Sequence, residues 1–499
     1  MIHSKTGCFA SALFAAMAIA ASAQGFKRIV NFNGSNGAYP GYVTLVQGTD
    51  GNFYGTTEGG GLLFDGTVFR ITPIGTLTIL YSFQYEFPIN PNGYAPYGGL
   101  LLATDRVFYG TTFGGGLSNN SCLSTLGCGT VFKITQGGVL TTLHAFASTD
   151  GANPTGALTQ GTDGDLYGTT EFGGGSVCTL GNTGCGTIFK INSKRGFTML
   201  HSFTGVDGWG PYAGLIQGID GNFYGTTEQG GAYSGGTVFR ITPEGELTTV
   251  YNFCAQTNCS DGEFPVGGVI QAADGNFYGT TAEGGIYYGC YYGEQTGTIF
   301  KLSPAGALTT LHDFCLGDGF FPTAPLIRAT DGNLYGTTYE GGNGTYCTGI
   351  FSPGCGVAFK IAPDGTFTLL HRFCSQANCN DGSAIYGGLL QGTNGYFYGT
   401  ALTGGTGLDG VVFRLDGGLG PFITFVLPSS RIGQTAQILG QGLTGTTSVT
   451  FNGVEATKFT VVSDTYMTAI VPEGATTGAV VVATPAGDLT SNVSFRISN

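Results

Sequence analysis

Gly48-Thr49-Asp50-Gly51-Asn52-Phe53-Tyr54-Gly55-Thr56-Thr57 is the stretch on which the fold turns. Its Tyr-Gly-Thr returns at Tyr109, Tyr167, Tyr224, Tyr278, Tyr335 and Tyr398, at spacings of 54 to 63 residues. A period of this size marks stacked or radial supersecondary units.

Each cassette reads as four strands. Tyr42 to Gln47 (strand a) runs into the tight turn Asp50-Gly51-Asn52, and Phe53 to Thr57 (strand b) returns. Gly66 to Thr72 (strand c) alternates and is rich in β-branched and aromatic residues. Pro73-Ile74-Gly75 turns the chain, because Pro presets φ and Gly accepts positive φ. Leu77 to Phe83 (strand d) closes a second hairpin. Four-stranded antiparallel units repeated around an axis make a β-propeller. The Gly inside strand b reads as room for close approach of the next sheet.

The ends fix the count. The seventh cassette supplies a (Gly387 to Gln391), b (Tyr396 to Ala401) and c (Gly410 to Leu415), then stops. Phe26 to Phe32 reads as an isolated d strand that completes this unit and leaves no open edge. The expected fold is all-β: a seven-bladed β-propeller over 24–419, closed by the N-terminal strand. The rival architecture, an open solenoid, leaves that strand orphaned.

The a–b and c–d turns share one face and are short; the b–c and d–a connections share the other and are long. The cysteines fall on the long-loop face or at its edge. Twelve remain beyond residue 23, in the pairs Cys122/Cys128, Cys178/Cys185, Cys254/Cys259, Cys347/Cys355 and Cys374/Cys379, with Cys290 and Cys315 left to pair at one edge of the fifth unit. An even number in an exported chain favours disulfides, each closing a short loop for roughly 2 kcal/mol. Zinc fits poorly: no Cys-x-x-Cys spacing occurs, and no His lies in these loops.

Met1 to Ala23 reads as a secretory signal, with Lys5, an apolar run from Phe9, and Ala21-Ser22-Ala23 as the cleavage site. No later segment has the ~18 uninterrupted apolar residues of a membrane helix. The expected location is the exterior, the cell surface or the periplasm. The 91 glycines in 499 residues concentrate at turns, and charged residues make up only 10%. A net charge of −13 without a basic stripe speaks against a nucleic-acid partner.

Candidate ligand-binding residues sit on the long-loop face. Trp209, Tyr287, Tyr288, Tyr291 and Tyr292 offer flat rings for stacking on sugars or peptides, or they pack within their own loops. Glu58, Glu171 and Glu228 directly follow Tyr-Gly-Thr-Thr, and Glu283 and Glu340 come one residue later. They form either an acidic ring near the channel, suited to a cation or to acid/base work, or a solvated rim before a Gly-Gly turn. His144, His201, His312 and His371 share a strand-d position with Tyr81 and Tyr251, which marks a packing site. Asp50, Asp163, Asp220, Asp274 and Asp331 open the a–b turns, where Asp stabilises the turn through its own backbone. No HExxH, GxSxG, phosphate-loop or dinucleotide motif occurs, so no catalytic residue, metal site or cofactor is assigned.

After Gly420 the cassette ends. Short strands follow at Ala436 to Leu439, Ser448 to Phe451, Lys458 to Val462, Tyr466 to Val471, Ala479 to Ala483 and Val493 to Ile497, the pattern of a β-sandwich. Gly440-Gln441-Gly442-Leu443, Val449 to Gly453, Ser463-Asp464-Thr465 and Val471 to Gly478 resemble the IPT/TIG immunoglobulin-like family over 420–499. That resemblance implies a spacer or binding module and no chemistry. The cassette itself, Asp-Gly-Asn-Phe-Tyr-Gly-Thr-Thr-x-x-Gly-Gly followed by Gly-Thr-Val-Phe-Arg/Lys-Ile, resembles the GloVer tandem repeat of exported bacterial proteins. It departs at Asp105-Arg106-Val107 and at Ala401.

Three functions fit this sequence. The expected one is a non-enzymatic exported binding or adhesion protein whose loop face recognises an extracellular carbohydrate or protein. The alternatives are a secreted glycan-active hydrolase or lyase using acidic residues at the channel mouth, and a structural cell-surface protein. An enzyme requires one Glu strongly perturbed while its repeat equivalents are not.

Overall fold

The computed structural model describes residues 25–84, 90–116, 122, 127–175, 178, 184–192, 194, 196–286, 296–342 and 355–498. Among them the regular structure is β, with two short 3-10 turns at Thr257–Cys259 and Ala377–Cys379 and no α-helix.

Seven four-stranded antiparallel sheets follow one another along the chain from Lys27 to Asp416. The first is Val46–Gln47, Phe53–Thr57, Thr67–Ile71 and Leu77–Ser82, hydrogen-bonded in that order. Sheets two to six repeat it. The seventh takes Leu390–Gln391, Tyr396–Ala401 and Val411–Asp416 from one end of the cassette region and Lys27–Asn31 from the other. The N-terminal strand imitates its counterparts closely. Strands c and d slip register after the second pair in the other six sheets, and Lys27–Asn31 slips against Val411–Asp416 between Arg28 and Val30.

Strand a is far shorter than expected. Only Val46 and Gln47 of the span from Tyr42 pair in the first sheet. The preceding backbone is bound from the side: the Thr400 hydroxyl of the seventh sheet donates to the Val43 carbonyl at 3.0 Å. Five further sheets repeat that bond with the first Thr after Tyr-Gly. Buried carbonyls must find donors, and here neighbouring hydroxyls replace ladder pairing.

Strands b and c are buried almost throughout, as sheets covered on both faces require. The repeated tyrosine lies between sheets. Tyr54 meets Phe108 at 4.2 Å, Tyr167 meets Phe223 at 3.9 Å, and Tyr398 of the seventh sheet meets Phe53 of the first at 4.0 Å. Its hydroxyl donates to the turn aspartate, Tyr54 to Asp50 Oδ2 at 2.8 Å, while Asp50 Oδ1 accepts from the Asn52 nitrogen at 3.1 Å. The Asp thus closes its turn, as expected, and also satisfies a buried phenol.

The mid-strand glycine serves a neighbour in its own sheet instead of the next sheet. A Cβ on Gly225 would lie 2.6 Å from Phe239 Cζ on strand c and 2.8 Å from Leu215 Cδ2. The same aromatic crowds Gly55, Gly110, Gly168, Gly279, Gly336 and Gly399.

Residues 421–498 form two more four-stranded sheets, Ile423–Phe425 with Thr435–Gly440, Tyr466–Ile470 and Phe459–Ser463, and Val454–Glu455 with Ser448–Phe451, Val480–Thr484 and Gly487–Thr490. One apolar cluster, including Ile438, Phe451, Met467, Val482 and Phe495, lies between them. The expected strands recur within a few residues, and the structure adds Ile423–Phe425, Ser429–Arg431, Val454–Glu455 and Gly487–Thr490.

Four disulfides join Cys122 to Cys128, Cys178 to Cys185, Cys254 to Cys259 and Cys374 to Cys379. Cys315 and Cys355 are also disulfide-bonded. Cys290 and Cys347, their expected partners, lie outside the described residues. No helix among the described residues is long and apolar enough to cross a membrane.

Candidate functional site

The residues that lead into strand a of all seven sheets line one cavity of about 510 Å3. Tyr42, Gly99, Thr155, Tyr212, Val266, Thr323 and Tyr386 represent the sheets in order. Glycines and small apolar residues make up much of the wall. Its polar part is Tyr42, Tyr212, Tyr386, Glu228, Glu283 and several threonines.

Tyr42, Tyr97, Tyr212 and Tyr386 come from one cassette position, three residues before the buried Leu45, Leu100, Leu215 and Leu389. They build an aromatic belt that runs sheet to sheet. Phe113 meets Tyr97 edge-on at 4.8 Å, Tyr97 meets Tyr42 at 4.7 Å, Tyr42 stacks on Tyr386 at 4.8 Å, and Tyr386 meets Tyr339 at 4.1 Å. Burial pushes the Tyr42 phenol up to about 12, with the charge of Glu58 adding to it. Burial first, then nearby carboxylate charge, raises Tyr97 and Tyr212 as well.

The acidic residues occupy another part of the circuit. Glu171, Glu228 and Glu283 follow strand b of the third, fourth and fifth sheets. Glu171 is part-buried beside Glu228 and Tyr212; burial, then the Glu228 charge, lifts its carboxyl to about 8. Glu228 is raised by burial and by Glu283. Glu58 is raised by burial but accepts the Tyr97 hydroxyl at 2.8 Å, which opposes the rise. At neutral pH Glu171 therefore holds a proton that an ordinary glutamate has lost. A carboxyl group that keeps its proton at neutral pH is suited to act as an acid.

The fourth-to-fifth seam differs from the others. Thr226 is 1% exposed, yet its hydroxyl lacks the carbonyl partner that its six equivalents have. Wall residues from both sides of this seam, Ala213 to Ile216 and Val266 to Ile270, carry the cavity into it. The Thr323 hydroxyl, also in the wall, has no hydrogen-bond partner among the described residues.

The expected site residues divide as follows. Glu228 lines the cavity, Glu171 stands beside it, and Glu58 reaches it through Tyr97 and Tyr42. Glu283 lines the wall, while Glu340 pairs its backbone with Phe320 and is not a wall residue. Trp209 packs, part-buried, on the cluster of Tyr167, Cys185 and Phe203, and its backbone bridges Gln229. Tyr287, Tyr288, Tyr291 and Tyr292 lie outside the described residues. Sequence reasoning missed Tyr42, Tyr97, Tyr212, Tyr339 and Tyr386; Pro-Tyr at 96–97 and 211–212 was the available signal.

Other titratable clusters are structural. His144, His201, His312 and His371 each meet an aspartate through Nε2, at 3.1, 2.8, 3.0 and 3.1 Å. Their rings also pack, as His144 does on Phe197 at 3.8 Å. The Tyr251 hydroxyl makes the same kind of contact with Asp261 at 2.8 Å. Three sulfurs, of Cys355, Cys374 and Cys379, approach one another within 4.8 Å, but all belong to disulfides and are not thiolate ligands.

No curated protein matches the chain. Among solved structures, virginiamycin B lyase from Staphylococcus aureus is 16% identical with a TM-score of 0.49, over 79% of this chain and 99% of that one. A fungal alcohol oxidase of the AA5 family, in complex with copper, is 14% identical with a TM-score of 0.48, over 96% and 100%. A luciferin-regenerating enzyme is 11% identical with a TM-score of 0.38, over 80% and 97%. No residue role is carried over from them. All three are enzymes, counter to the expected non-enzymatic binding or adhesion protein, and that expectation is corrected. Of the expected aromatic platform, Trp209 is part-buried, and the other four rings lie outside the described residues. A family model described as Gloeobacter/Verrucomicrobia repeat matches residues 15–178, 124–351 and 291–462. These overlapping matches take in most of the sequence, and the chain belongs to the Gloeobacter/Verrucomicrobia repeat family.

Proposed function

We propose that the chain is an exported glycan-active hydrolase. The scaffold is a seven-bladed β-propeller closed by its N-terminal strand, and the cavity is the mouth of its channel. Residues 420–499 form an immunoglobulin-like domain of IPT/TIG type, and the N-terminal segment is a secretory signal. The disulfides support an extracellular setting.

One observation carries the reading: Glu171 keeps its proton up to about pH 8 beside Glu228. Glu171 donates that proton to the leaving glycosidic oxygen as the C–O bond breaks. Glu228, in the wall, provides the carboxylate that activates water or attacks the anomeric carbon. The wall tyrosines supply aromatic and hydroxyl contacts for a sugar.

The test is release of reducing ends from a panel of soluble glycans by the full chain, by Glu171→Gln and by Glu228→Gln. Each substitution is expected to lower kcat by at least ~100-fold, the usual scale of acid–base catalysis, with the thermal midpoint retained. Unchanged rates in Glu171→Gln would sink the assignment, and no release by the wild-type chain would sink the hydrolase itself.

A further inference from the structure

The inference concerns the substrate and rests on reading the cavity as a catalytic site. The wall combines two glutamates, Glu228 and Glu283, with Tyr42, Tyr212 and Tyr386. No Lys, Arg or His occurs among the described residues that line it.

The protein shows elsewhere what such a pair of groups holds. Lys301 Nζ lies 2.9 Å from Asp274 and 5.5 Å from the Tyr278 ring. Lys360 stands 3.4 Å from Asp331 and 6.0 Å from the Tyr335 ring, and Lys190 stands 3.7 Å from Asp165 and 5.7 Å from Tyr167. Three sheets thus use a carboxylate and a π face to seat one ammonium group. Both attractions are electrostatic, and they strengthen as water is excluded. The cavity wall brings a glutamate and a tyrosine together again, Glu228 near Tyr212, with no lysine among its described residues. Its Thr323 hydroxyl adds an unpaired acceptor.

We propose that the sugar seated in this cavity carries a protonated primary amine, as an amino sugar free of its N-acyl group does. A uronate or sulfated sugar would bring negative charge against carboxylates with no cation in the wall to neutralise it. A neutral sugar stacks on the tyrosines but draws nothing from the acidic side.

The full chain is titrated calorimetrically with a hexamer of β-1,4-glucosamine, its N-acetylated counterpart and the matching glucose hexamer, and cleavage of each is followed separately by mass spectrometry. The amine hexamer is expected to bind about tenfold more tightly than either other, equivalent to ~1.4 kcal/mol. That margin should shrink as salt is raised, and Glu228→Gln should shrink it too by weakening the amine hexamer more than the N-acetylated one. Equal or tighter binding of the N-acetylated or glucose hexamer, with cleavage retained, overturns the amine preference and leaves the hydrolase standing. Tight binding of the amine hexamer without cleavage supports the preference and overturns the hydrolase. Neither binding nor cleavage of any hexamer overturns both.

Discussion

The side-chain oxygen of Gln47 accepts a hydrogen bond from the backbone nitrogen of Thr393 at 3.0 Å, across 346 positions of sequence. The bond ties the first sheet to the seventh. Gln160, Gln217, Gln271 and Gln391 make the same clamp on Thr104, Thr162, Ile219 and Thr330 of the preceding sheet. Two sheets have Leu102 and Arg328 there instead of glutamine. Arg328 donates to the Asn492 carbonyl at 2.7 Å, and Val426 packs on the cluster that holds Leu102. Residues 421–498 also dock where the clamp is kept, since Arg496 reaches the same Gln217 oxygen that holds Thr162.

Gln47→Ala should therefore loosen the seam between the two ends of the cassette region. The loss of one buried hydrogen-bonding side chain costs about 1–3 kcal/mol. Amide exchange should accelerate first in Lys27–Asn31, ahead of the central sheets. Uniform acceleration across all seven sheets would contradict this order.

Gly225→Ala forces a methyl against Phe239 and Leu215. Overpacking of this kind costs about 1–3 kcal/mol. The double variant with Phe239→Leu should recover part of the loss in urea unfolding. Additive losses in the double variant would show that the aromatic is not what the glycine accommodates.

Glu171 titrates at about 8 in the folded chain, against about 4.3 when unfolded. The folded state holds the extra proton between those values, so this group's contribution is intact below the lower one and is lost as pH rises through the upper one. Glu171→Gln should flatten the decline in thermal midpoint from about pH 4 to about 8. In the wild-type chain, hydrolysis should fall on the alkaline side near pH 8, where the acid loses its proton.

Asp207 behaves oppositely. Burial alone would raise it, but hydrogen bonds from His201 and Thr204 outweigh burial and hold it at about 2. Its stabilisation is present above the unfolded value of about 3.9, and it is lost as pH falls toward 2. Asp207→Asn should lower the thermal midpoint at neutral pH and leave it less sensitive to acid in that window. An unchanged acid profile would remove Asp207 from the account.

Arg496 donates to the Gly218 carbonyl at 2.8 Å and to Gln217 Oε1 at 3.0 Å, and Gln437 donates to the Thr104 carbonyl at 2.6 Å. Arg496→Ala should weaken this docking by about 1.5–3 kcal/mol, as for hydrogen bonds from a charged group. Limited proteolysis between Asp416 and Ile423 should then quicken while the cassette sheets stay protected. Equal cleavage rates would place the docking energy elsewhere.

The sequence by itself determined what short-range chemistry controls. Turn residues and alternation set four strands per cassette, and the incomplete seventh unit called for the strand that Lys27–Asn31 supplies. The closely spaced cysteines foretold the four local disulfides. Tertiary structure decided what depends on neighbours. Strand a shrank because hydroxyls such as that of Thr400 bind its carbonyls from the next sheet. The strand-d histidines were legible as packing residues, but their aspartates were not, because each lies six to ten positions on in a loop of its own shape. The cavity was least legible. Tyr42, Tyr212 and Tyr386 are scattered over the chain, and Glu171 differs from Glu58 and Glu228 only through the burial and charge that surround it. A repeat makes equivalent residues look alike in sequence, and only their packing makes them chemically different.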